Sequence, residues 1–180
     1  MAWGITAKEL LEIYGAGERN FTGVELIEDK TPDSRDCASE IYGLEGADLR
    51  GINLCGANLQ GVVLEVTNLS EANLFGACLC AADLSYAVLK RADLRSINLM
   101  GASCKGANFT GANMSLINAT QTGFIDAQIV GAFLENAILV CASFKGSDTY
   151  KRAICQCGNL IYNTTMPDGT IESDFYWGHW

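Results

Sequence analysis

The side chains able to do chemistry in this 180-residue chain are few, and their spacing does not organise them into a site. Histidine occurs once, at His179 between Gly178 and Trp180, a position two from the end that a second shell does not readily hold. No serine has a plausible base partner, and the carboxylates are spaced as solvated ladders. Neither a G-x-x-x-x-G-K-[ST] loop nor a G-x-G-x-x-G turn is present. The expectation is that the protein is not an enzyme and has no catalytic residue, no cofactor site and no metal site.

Cysteine is the remaining reactive type, with eight copies. In a small secreted chain these would suggest a disulfide scaffold, but this one carries its own apolar core. Cys104 takes the place of a core leucine, while Cys55, Cys78, Cys80 and Cys141 fall at outward or corner positions. Cys155-Gln156-Cys157 is CxC rather than CxxC, and no second cysteine pair or histidine lies at zinc-ligand spacing. Free thiols are expected.

What positions every side chain is a five-residue repeat running from Leu44 to Thr149. Counting in fives from Leu49 gives Leu54, Leu59, Leu64 and so on to Leu99, then Cys104, Phe109, Met114, Ala119, Phe124, Ile129, Leu134, Leu139 and Phe144. These are the pentad centres. Two residues before each stands a small or β-branched residue, such as Ala47, Ile52, Ala57, Val62 and Thr67. Both columns must face one core. A period of five fits neither the 3.6 of a helix nor the 2.0 of a strand, so the chain must turn a corner every pentad and stack on itself.

These residues resemble the pentapeptide-repeat family, whose pattern is A-(D/N)-L-x-x, as in GADLR, GINLC, GANLQ and GANF; about twenty consecutive pentads fit. The resemblance implies an all-β solenoid, a right-handed quadrilateral β-helix with four pentads and twenty residues per coil, about five coils in all. ArgAsnPheThrGly near the start and MetProAspGlyThr near the end resemble the entry and closing segments of cyanobacterial members. Residues twenty apart should then stack, as in Leu64, Leu84, Cys104, Phe124 and Phe144. At a strand spacing of about 4.8 Å the rod would be about 25 Å long, with two ends that need covering.

The flanks supply covers. Residues 1–43 hold a capping box at Thr6-Ala7-Lys8-Glu9 opening a short helix with an apolar side, which reads as an N-terminal cap, and then Phe21, Val24 and Leu26 as a partial coil. Glu28 to Glu40 reads as a charged surface loop, or more sharply as an acidic contact site. Residues 44–149 are the repeat body, and 150–180 a capping tail with Met166–Thr170 as a turn between two extended segments. Within the body, the polar residue before each centre (Asn53, Asn58, Asn68, Asp83, Asp93) suits a corner. So does the glycine before each small residue. The outward pattern fails at Val130, Phe133, Ile138 and Val140, which are apolar where polar residues are expected. They mark either a surface covered by the tail or an interaction surface, such as a homodimer contact.

Net charge is −9, of which the repeat body contributes nine acids against six bases, net −3. No apolar run spans a bilayer, and no basic segment precedes an apolar one at the N-terminus, so a cytoplasmic location is expected. No basic, aromatic-interleaved patch suggests direct nucleic-acid binding. The leading functional expectation is an interaction scaffold with an unknown protein partner, acting as a monomer or homodimer. The alternative, implied by the family resemblance, is a DNA-mimicking inhibitor or protector of DNA gyrase. Lys90, Arg91 and Arg95 on the body disfavour it.

Overall fold

The computed structural model describes residues 3–28, 43–155 and 158–173, and the backbone of 176–177. Its body is a ladder of parallel bridges between residues twenty apart, four to each coil: Asp48 with Asn68, Asn53 with Asn73, Asn58 with Cys78, and Val63 with Asp83. Each bridge marks the straight side of a square coil. The ladder repeats with this step as far as Gly123 with Ser143.

The corners follow from local hydrogen bonding. At most corners the centre's carbonyl accepts the N–H of the residue three further on, as Leu49 O does from Ile52 at 3.2 Å. The residue in third position, here Gly51 with φ 66°, is left-handed, as in a type II turn. Centres and small residues point inward and are buried through the body, giving one continuous apolar core from Ile5 to Met166. The polar residues before the centres stand on the straight sides rather than at the corners. Their side chains reach round to the corner instead: Asn68 Oδ1 accepts from Ser70 N–H at 3.1 Å and from its hydroxyl at 2.7 Å, and Asn113 does the same for Ser115.

The left-handed position is not reserved for glycine. Eleven other residues of the body occupy it, from Val66 at φ 61° to Cys141 at φ 57°. Bulk there is balanced between coils. The Tyr86 ring lies over Gly106 in the next coil, where an added Cβ would approach it to 2.7 Å. Val66 is the β-branched exception, for which this conformation is a strained one. Val66→Gly is expected to stabilise the protein by about 0.5–1 kcal/mol, the left-handed penalty less the extra chain entropy of glycine. Urea unfolding of both proteins measures this; a lower midpoint for the variant would mean that the Val66 side chain, 56% exposed, still contributes packing.

The ladder continues past both ends of the body. Asn20 pairs with Asn53, and Glu25 with Asn58, a step of 33 rather than twenty residues. The acidic stretch accounts for the extra length; apart from Glu28 it lies outside the described residues. Ahead of it, β1 (Gly4–Ile5) pairs in parallel with β2 (Glu25–Leu26). Between them runs α1 (Ala7–Gly15), opened by the reciprocal capping box of Thr6 and Glu9 and burying Ala7 and Leu10 against the core. Thr6 N–H and its hydroxyl hold the Glu9 carboxyl below its usual range.

After the body comes α2 (Lys151–Ile154), and then β3 (Leu160–Ile161) and β4 (Thr164–Thr165), which continue two sides of the ladder: Ile138 pairs with Leu160 and Ser143 with Thr165. Next, β5 (Ile171–Glu172) turns back antiparallel onto β4, and β6 (Tyr176–Trp177) onto β3. From Glu25 to Leu160 this side thus has seven rungs, roughly 29 Å at the usual strand spacing.

Candidate interaction surface

Most outward polar groups serve the fold itself. Besides closing corners, the asparagines form ladders: Asn53 Nδ2 donates to Asn20 Oδ1 at 3.1 Å, and Asn73 Nδ2 to Asn53 Oδ1 at 3.0 Å. Arg50 forks onto Asp48, at 2.9 Å from Nε and 2.8 Å from Nη2, and Arg95 onto Asp93 at 2.8 and 2.6 Å. Both guanidiniums hold their carboxyls below the usual range. The acids Asp48, Asp93 and Asp83 stand on three different ladders. Two of the three are neutralised in place.

The four apolar outward residues separate into two pairs. Phe133 pairs with Asn113 on one side of the coil, and Val130 follows the centre at the corner leading into that side. Ile138 pairs with Asn118 and Leu160 on the next side, and Val140 sits at the corner beyond it. Val130 and Phe133 are 54% and 58% exposed, Ile138 39%, and Val140 is half-buried. Among the described residues, the segment after the body leaves Val130, Phe133 and Ile138 exposed. It stacks on the end of the coil, where Leu139, Cys141, Phe144 and Gly146 donate their N–H groups to Leu160, Tyr162, Thr165 and Pro167 at 2.8 to 3.0 Å. Unpaired donors at a coil end cost more than exposed apolar side chains, so the end has first claim on the chain.

Asn159, buried among apolar residues, completes that closure, and nothing in the repeat pattern marks it. Its Oδ1 accepts Ala137 N–H at 2.9 Å, while its Nδ2 donates to Leu134 O at 2.9 Å and Ile154 O at 3.0 Å. The amide is inserted into the corner from Leu134 to Ala137 in place of the ordinary carbonyl-to-N–H bond. Three buried threonines support other corners from below, with Thr67, Thr122 and Thr164 hydroxyls donating to Leu44, Leu99 and Leu139 carbonyls at 2.7 Å.

The sulfurs divide by position. Burial pushes the Cys104 thiol up, and burial does the same for Cys155 at the end of α2. Cys78 and Cys80 flank the buried centre Leu79 with their Sγ atoms 3.5 Å apart. Partial burial and the bond to Cys78 push Cys80 up to about 11. Among the described residues no three His, Cys, Asp or Glu side chains converge as metal ligands. His179 and Cys157 lie outside the described residues. A shallow polar depression lined by Glu25, Leu26, Asn58, Gln60, Gly61 and Ala81 opens at the N-terminal end, where Asn58 Nδ2 donates to Glu25 Oε1 at 3.2 Å. Among the described residues no helix is long and apolar enough to cross a membrane.

A square coil of twenty residues, bridged in parallel on all four sides around leucine-rich centres, defines a parallel β-solenoid. The family model for pentapeptide repeats, in eight copies, matches residues 47–85 and 77–115 of the repeat body. The crystal structure of the pentapeptide-repeat protein Rfr23 from the cyanobacterium Cyanothece 51142 shares this fold. Its TM-score is 0.55 at 22% identity over 72% of this chain and 93% of that one. HetL from the cyanobacterium Nostoc, involved in heterocyst differentiation regulation, gives 0.27 at 21% identity over 93% of this chain and 100% of that one. QnrB1, a plasmid-mediated fluoroquinolone resistance protein, gives 0.33 at 15% identity over 97% of this chain and 87% of that one. No curated protein matches by sequence.

Proposed function

We propose that this chain is a non-catalytic, right-handed quadrilateral β-helix of the cyanobacterial kind, capped by α1 and by the segment after the body. On this reading it works in the cytoplasm as a protein–protein interaction scaffold, as a monomer or homodimer, without binding nucleic acid directly or entering a membrane. The observation that carries the reading is the contrast between the polar side chains, engaged in the fold's own hydrogen bonds, and Val130 with Phe133. These two stand more than half exposed on one side of the last coil, where apolar surface has no internal use.

The test compares wild type with Phe133→Asp as immobilised bait in a cyanobacterial lysate, with far-UV circular dichroism showing that both are folded. A partner retained by wild type at moderate salt and lost by the variant is the expected result. Identical capture by both would remove this side from the interaction. DNA gyrase held at low salt only would instead favour DNA mimicry, a reading that the separated and arginine-paired acids weigh against.

A further inference from the structure

Cys78 and Cys80 are an outward pair of thiols that face one another, joined by a weak sulfur hydrogen bond. They lie on either side of a fully buried centre, and both are half-buried free thiols with sulfurs 3.5 Å apart. The rung beneath them is held firmly. Cys78 N–H donates to Ala57 O at 2.9 Å, Leu79 N–H to Asn98 O at 2.8 Å, and Ala81 N–H to Met100 O at 2.9 Å. Met100 therefore stands on the next rung at the position equivalent to Cys80, and it is exposed. A flexible thioether reaches across the roughly 4.8 Å between rungs.

Two thiols this close suggest a disulfide, yet the backbone opposes one. Residues i and i+2 of an extended rung are about 6.6 Å apart at Cα, near the upper limit of roughly 6.8 Å that a disulfide spans. Closing the bond would bend a rung that Leu79 anchors in the core. A metal ion between the sulfurs makes the opposite demand. With metal–sulfur distances of about 2.3 Å, the sulfurs need to stand apart by up to about 4.6 Å, which side-chain rotation alone supplies. Zinc would require two further nitrogen, oxygen or sulfur ligands in a tetrahedron, and no carboxylate or histidine converges here among the described residues. A set consisting only of thiolates and a thioether selects a soft monovalent ion.

We propose that Cys78 and Cys80, with Met100 as a third ligand from the next rung, bind one copper(I) ion. Three Cu–S bonds form, two to thiolates as two S–H bonds break and their protons pass to solvent, and one to a lone pair of the Met100 thioether, while the bonds from copper to the ligand that delivered it break. Copper stays in the +1 state, so no electrons move. The site lies on a different side of the coil from Phe133, and it stands or falls independently of the scaffold reading.

The full-length reduced protein is titrated anaerobically against the copper(I)–bicinchoninate complex, and iodoacetamide alkylation is mapped by peptide mass before and after loading. The expected result is one copper withdrawn per chain, with Cys78 and Cys80 protected and Cys55 and Cys141 not. Cys78→Ser and Cys80→Ser each weaken binding by more than the roughly 10–100-fold that losing an outer partner of a metal ligand costs. Met100→Leu, which preserves bulk, weakens it by less. The alkylation map of wild type decides the question even if a serine variant fails to fold. Failure to withdraw copper, protection at Cys155 instead, or undiminished binding by the Cys78→Ser/Cys80→Ser double variant would each overturn the proposal. So would formation of a Cys78–Cys80 disulfide by oxidised glutathione with the melting temperature unchanged, since that would remove its geometric premise.

Discussion

Phe124→Ala is expected to cost about 3–5 kcal/mol, the range for truncating a buried aromatic where the surroundings cannot collapse. Phe124 is fully buried between two others, edge-on to Phe109 with ring centroids 5.7 Å apart and stacked on Phe144 at 4.9 Å. A solenoid core has neighbours only around, above and below it. The side chain twenty residues earlier is Cys104, too small to fill the space, and the backbone around it is tied on both sides, from Phe124 N–H to Ser143 O at 2.7 Å and from Cys104 N–H to Gly123 O at 2.8 Å. Leu64 and Leu84 hold the same position in earlier coils, so Phe124→Leu should cost distinctly less. Urea unfolding of the three proteins measures the difference. Equal losses for alanine and leucine would overturn this, since they would show that the loss comes from the ring contacts and not from the cavity.

Asn159→Ala should cost about 3 kcal/mol or more, although it removes only a short side chain. It leaves a buried N–H at Ala137 and buried carbonyls at Leu134 and Ile154 without their partner, and each such group costs about 1–3 kcal/mol. Loss of hydrogen-exchange protection at Ala137, with protection in earlier coils retained, would locate the effect; uniform loss would count against this role. Asn159→Asp tests the same site by charge. A carboxylate oxygen facing the Leu134 and Ile154 carbonyls is disfavoured, so the folded state raises its pKa and the variant is most stable below the ordinary carboxyl range. It then loses stability as pH rises through the raised value. Wild type runs the other way. Glu9, Glu18, Asp48, Asp93 and Asp168 are all held below their usual values by hydrogen bonds, so their contributions are present above about pH 4 and fade as pH falls. Melting temperatures between about pH 3 and 7 should therefore diverge toward neutrality. Parallel profiles would show that residue 159 is not enclosed as described.

The inside of this molecule is legible in the order of its residues. A centre every five residues, with a small residue two before it, is a local instruction repeated without slippage, and nearly every side chain in those two columns is buried. The same regularity forecasts stacking at a step of twenty. It is weaker on outward positions. Asn53 and its counterparts were legible as corner-stabilising residues, yet they stand on the straight sides and act through their side chains, because the bend falls one and two residues after each centre.

The features that depend on stacking lie where the rhythm breaks or where two coils meet. The 33-residue step that stacks Asn20 on Asn53 departs from the step of twenty, and no local pattern states it. Val130 and Phe133 part from Ile138 and Val140 because successive pentads face different directions. Asn159 looks like any other asparagine until the last coil presents it with a corner to complete. Cys78 and Cys80 become a pair only because the buried Leu79 between them turns both thiols outward on one rung, with Met100 on the next. A five-residue period specifies which way each side chain points; which side chains meet is settled by how the coils stack and end.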